Sequence, residues 1–70
     1  MYDYQIIVPY EFEASVLGIK LSIRQLKLVR KCQIEETKDG KIFFLEFEQQ
    51  NQLDSFDNEM KLYFPFLFKS

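Results

Sequence analysis

The segment Glu11–Lys31, E-F-E-A-S-V-L-G-I-K-L-S-I-R-Q-L-K-L-V-R-K, decides the fold because it fits two periods at once. With period two, Leu17, Ile19, Leu21 and Ile23 alternate as in a strand. With the helical period, Phe12, Val16, Ile19, Ile23 and Leu26 recur at steps of four, three, four and three. About twenty residues is long for one strand, and a hairpin at Arg24-Gln25 would lack turn residues. Glu11 and Glu13 stand at the start and Arg30 and Lys31 at the end, which suits a helix dipole. Gly18 opposes a helix by about 1 kcal/mol. A second stripe, Leu17, Leu21 and Leu28, exceeds what a one-sided helix needs. The helix is the reading adopted; if 14–34 is strand instead, the chain is a mostly β meander.

Downstream, Lys38-Asp39-Gly40-Lys41 is a turn signal, since Asp-Gly supplies the positive φ of a tight hairpin. The flanking strands are Cys32–Thr37 and Lys41–Glu48. In the second, Phe43, Leu45 and Phe47 share one face, taken as the core face, and Ile42, Phe44, Glu46 and Glu48 share the other. Tyr4–Tyr10 is a third strand, ended or placed at an edge by Pro9. Leu53, Phe56 and Met60 carry helical spacing through Asn51–Met60, with Asn51 as its cap. Lys61–Lys69 alternates through Leu62, Phe64, Phe66 and Phe68 and reads as a fourth strand, demoted to an edge by Pro65. The fold class expected is α+β, one small domain over 1–70 with ferredoxin-like βαββαβ order and helices on one face of an antiparallel sheet.

Seventy residues with one Cys and no His or Trp exclude an internal disulfide and a Cys/His zinc site. A chain this short buries only about 60% of its unfolded surface. Its stability must come from dense aromatic packing, for which it has eight Phe and four Tyr, or from association. The N-terminus has no secretory pattern, and the longest apolar run, Leu62–Phe68, is far short of the roughly 20 residues of a membrane helix. A lone Cys fits a reducing compartment, so the expected location is cytoplasmic, with no membrane partner. Seven Lys against two Arg is the bias of an AT-rich genome and fits a mobile-element origin.

Without His the commonest general base is absent, and no Ser can form a Ser–His–Asp arrangement. The expectation is therefore not an enzyme, with no catalytic residues, no cofactor, no metal and no small-molecule substrate. Cys32 is expected to be a small buried residue at a strand start. Asp54, Asp57 and Glu59 lack the calcium-loop pattern and read as a solvated helix face. Glu35, Glu36 and Asp39 read as hairpin-edge charges.

Charge is segregated. Residues 14–34 hold Lys20, Arg24, Lys27, Arg30 and Lys31 and no acid, whereas the remaining residues hold four cations and eleven acids. On one helix, Lys20, Arg24, Lys27 and Lys31 would form a basic ridge facing an acidic protein or phosphate. Twelve rings exceed what one small core readily encloses, so an exposed aromatic sheet face is expected, with Ile42, Phe44, Tyr63 and Phe66 as its contacts. Phe44-Leu45-Glu46-Phe47 resembles the second half of the third-strand motif of RNA-recognition motif domains, whose open-face aromatics stack on bases. The first half departs from it: Gly40-Lys41 and Phe43 stand where that family has Lys/Arg-Gly and a second Gly.

Two functions fit. The first is a non-enzymatic protein-interaction module, a small regulator, inhibitor or accessory subunit binding a protein partner, a second copy as homodimer included. The second is a single-stranded nucleic-acid (RNA) binder using the ridge and an exposed Phe44. A pI near 5.0 favours the first.

Overall fold

The computed structural model describes residues 1–68. Its elements are β1 (Tyr2–Pro9), α1 (Ser15–Leu26), β2 (Lys31–Glu36), β3 (Gly40–Phe47) and α2 (Gln50–Tyr63), with 3-10 turns at Tyr10–Phe12 and Pro65–Leu67. The class is α+β: a three-stranded antiparallel sheet with two helices. β3 lies between β1 and β2 and is antiparallel to both. β1 and β2 therefore run parallel and are joined through α1, a split βαβ unit.

The two-period segment resolves as helix, shorter than its pattern. Val16 and Ile19 are buried, and Phe12, Ile23 and Leu26 pack against them. Phe12 belongs to the preceding 3-10 turn, and α1 ends at Leu26 because Lys27 turns left-handed at φ 54°. Leu28 and Val29 then return to the core rather than extending a helical stripe. Gly18, which counts against a helix by propensity, serves the packing: a Cβ there would lie 2.9 Å from the Phe64 ring.

Among the described residues no fourth strand forms, so the βαββαβ order is corrected to βαββα. The alternation of Leu62, Phe64, Phe66 and Phe68 competes with a helical series, Leu53, Phe56, Met60 and Phe64, and the helical series wins. α2 runs to Tyr63, and Pro65 then opens a 3-10 turn. A helix cannot continue through Pro65, whose ring would clash with the carbonyl four residues back. Lys69, the last residue of the expected strand, lies outside the described residues. The start of α2 also differs: Gln49, not Asn51, is the N-cap, and its N–H donates to the Gln52 side-chain oxygen at 3.1 Å.

The core face of the sheet is as its alternation predicts. Ile6, Val8, Phe43, Leu45 and Phe47 are buried beneath Val16, Ile19, Phe56 and Met60. Phe47 and Phe56 meet at 5.5 Å, and the Tyr4 ring stands edge-on to both. Tyr4 donates a hydrogen bond to Asp57 at 2.5 Å, and Lys61 pairs with the same carboxylate at 2.9 Å. At the hairpin, Gly40 has φ 157°, and a Cβ there would come 2.2 Å from the Val8 carbonyl oxygen. Only glycine fits where β1 crosses so close.

Candidate functional site

β3 displays the registers of both its neighbours, so the open sheet face can be read row by row. Ile7, Ile42 and Glu35 form one row, Gln5, Phe44 and Gln33 the next, and Asp3, Glu46 and Lys31 the third. Phe44 is half-buried and borders a shallow depression of about 280 Å³ whose rim includes Asp3, Glu46 and Lys31. The face is thus an aromatic floor with two carboxylates and one cation beside it. Phe47, the other aromatic of the motif resemblance, is fully buried in the core.

The expected aromatic contacts do not form one surface. Ile42 and Phe44 lie on the open sheet face. Tyr63 and Phe66, expected on a fourth strand of that sheet, lie elsewhere: Tyr63 ends α2 and Phe66 lies in the 3-10 turn, on the helical layer across the sheet. Phe66 packs on Phe12 at 4.8 Å.

The basic ridge is likewise divided. Only Lys20 and Arg24 lie on α1, one turn apart. Lys27 is the C-cap, and Lys31 opens β2 and shares a row with Glu46 on the open face. A nucleic-acid strand stacked on Phe44 would meet Lys31 but not the α1 cations, which lie on the other side of the sheet.

The signal that sequence reading left unassigned is the Leu17–Leu21 stripe. Both residues point outward from α1, at 67% and 43% exposed. Beside them a groove of about 430 Å³ runs between the helices, with Gly18, Leu26 and Phe64 in its lining and Tyr63, 60% exposed, on its far wall. Lys20 and Arg24 flank the stripe on α1. The lining also holds Ser22, Gln25 and Glu59, so this is a partly polar groove beside an apolar strip, on the layer opposite Phe44, with Lys20 and Arg24 on α1 outside the lining.

Cys32 is corrected from buried to exposed, because neither helix covers β2. Partial desolvation pushes its thiol above the ordinary value, and the Lys20 charge pulls it partly back. Asp57, read as part of a solvated face, is half-buried. Burial opposes its ionisation, but hydrogen bonds from Tyr4 and Lys61 and the Lys61 charge outweigh that, so its carboxyl lies below the ordinary value. Burial first, then the Asp57 bond and charge, push the Tyr4 phenol up. This pairing ties β1 to α2 and is structural. Among the described residues no three His, Cys, Asp or Glu gather as metal ligands, and no helix is long and apolar enough to cross a membrane.

Compared with protein families, with curated proteins and with solved structures, the chain has no significant match.

Proposed function

We propose that the chain is a non-enzymatic protein-interaction module, a small regulator, inhibitor or accessory subunit. The observation that carries this reading is the apolar strip of the helical layer. The fold leaves Leu17, Leu21 and Tyr63 in water around a groove, and such a patch is the mark of a surface that a partner covers. An amphipathic helix laid between α1 and α2 matches a groove of this form, and Lys20 and Arg24, on α1 outside the lining, would steer an acidic partner toward it. The sheet face of Ile42 and Phe44 is the secondary contact in this reading.

The test is site-specific photo-crosslinking from position 63 in the source cell. One saturable protein adduct is expected, lost in the Leu21→Asp variant and retained in Phe44→Ser. Lys20→Glu should slow association rather than abolish it, with the difference fading as salt is raised. Adducts that survive Leu21→Asp but vanish in Phe44→Ser would overturn the assignment to the helical layer. Salt-sensitive capture of single-stranded RNA by the same chain would overturn the protein-module reading.

A further inference from the structure

We propose that two copies of this chain join through β2, antiparallel and centred on Gln33, so that each three-stranded sheet becomes half of one continuous sheet. The proposal goes beyond the reading above and uses a different surface from the helical groove.

β2 is an edge strand whose six residues are all exposed, and no described residue pairs with its outer side. Neither helix overhangs it, so both the edge and the two faces beside it are free to receive a neighbour. The other edge, β1, has the Pro65–Leu67 turn packed near it.

The order of residues in β2 is self-complementary. A two-fold axis perpendicular to the sheet at Gln33 places Lys31 opposite Glu35 of the second copy, Cys32 opposite Ile34, and Gln33 opposite itself. Outside the strand, Arg30 falls opposite Glu36, although within the chain Arg30 already pairs with Glu48 and Glu36 accepts a hydrogen bond from Tyr10. Each pairing occurs twice, and no like charges meet. Moving the axis by one residue, to Ile34, sets Cys32 against Glu36 and Gln33 against Glu35, and the charge match is lost. Among the described residues Lys31 and Glu35 make no ion pair within their own chain, so both are available. Ile34, 40% exposed on the helix side, would be covered by Cys32 of the second copy.

Backbone geometry agrees. The Thr37 N–H donates to the Gly40 carbonyl at 2.7 Å, which sets the alternation along the hairpin. Glu35, Gln33 and Lys31 therefore turn their backbone groups toward β3, and Cys32 and Ile34 turn theirs outward. About Gln33, Cys32 and Ile34 of opposite copies form the hydrogen-bonded pairs. Gln33 faces its mate as a non-bonded pair with Cα atoms about 4.5 Å apart, within reach of a disulfide. Charges on an edge ordinarily deter pairing; in this order they favour the register centred on Gln33, the one that sets Lys31 against Glu35.

The experiment has two arms on the full chain. Sedimentation equilibrium from about 10 µM to 1 mM should show a reversible dimer of modest affinity, as a small interface implies. Lys31→Glu should weaken it about ten-fold or more, and Lys31→Glu with Glu35→Lys should restore it. On oxidation, Cys32→Ser with Gln33→Cys should form a disulfide-linked dimer, while Cys32→Ser with Gln5→Cys on β1 should stay monomeric. A monomeric wild type throughout, a dimer indifferent to Lys31→Glu, no rescue by the exchange, or equal cross-linking from position 5 would each overturn the proposal. Crosslinking from position 63 reads the helical groove separately, so the two can fail independently.

Discussion

Replacing Tyr4 with phenylalanine removes one oxygen and leaves the ring that stands edge-on to Phe47 and Phe56. What is lost is the hydrogen bond to Asp57, 2.5 Å long and part-buried. Hydrogen bonds to a charged group contribute about 1.5–3 kcal/mol. Asp57 keeps Lys61 at 2.9 Å, so the cost near neutral pH belongs at the low end, about 1.5 kcal/mol. For a domain of this size that lowers Tm by roughly 6–12 °C. The pH dependence sharpens the test. The folded-state pKa of Asp57 lies below its ordinary value, so its contribution is present above the unfolded pKa and is lost as pH falls through the folded one. Once Asp57 is neutral the bond joins two uncharged groups, and the Tyr4→Phe penalty should shrink to about 0.5–1 kcal/mol. Urea unfolding followed by circular dichroism, from about pH 7 down to about pH 2, reads both quantities. An equal penalty across that range, or none near neutral pH, would refute the reasoning that an ionised Asp57 ties β1 to α2.

Two further outcomes follow from the packing. Phe43 and Phe44 are neighbours on opposite faces of β3, one fully buried and one half-buried. Phe43→Ala should cost about 3–5 kcal/mol and leave little folded protein, whereas Phe44→Ala should cost about 1 kcal/mol and stay folded by circular dichroism. Gly40→Ala should unfold the chain at room temperature, since its Cβ would press 2.2 Å from the Val8 oxygen; a cooperative thermal transition close to wild type would show that β1 can move aside.

Most of the layer that makes the sheet was legible along the chain. The Asp39-Gly40 turn, the alternation of Phe43, Leu45 and Phe47, and the apolar centre of β1 each express a local rule, and each appears in the structure as expected. The ambiguous segment after β1 became a helix for a reason also present in the residues: Val16, Ile19, Ile23 and Leu26 point one way only at the helical period. The candidate site was less legible. Lys20, Arg24, Lys27 and Lys31 form a ridge only on an unbroken helix, and the left-handed Lys27 breaks it.

The sequence by itself determined the class, the hairpin, the core face of β3 and the lack of an internal disulfide, because these depend on residue type and on periods of two and 3.6. Tertiary structure alone decided three things. It turned the run after Met60 into the end of a helix, because Phe64 gains more against Gly18 of α1 than in a strand broken by Pro65. It sent Tyr63 and Phe66 to the helical layer and left Ile42 and Phe44 on the sheet, separating the residues expected to form one contact surface. And it left β2 uncovered, because two short helices span only the side of a three-stranded sheet that β1 and β3 supply. Local pattern states which side chains want burial; which of them a chain of 70 residues has enough surface to cover is settled only when the layers meet.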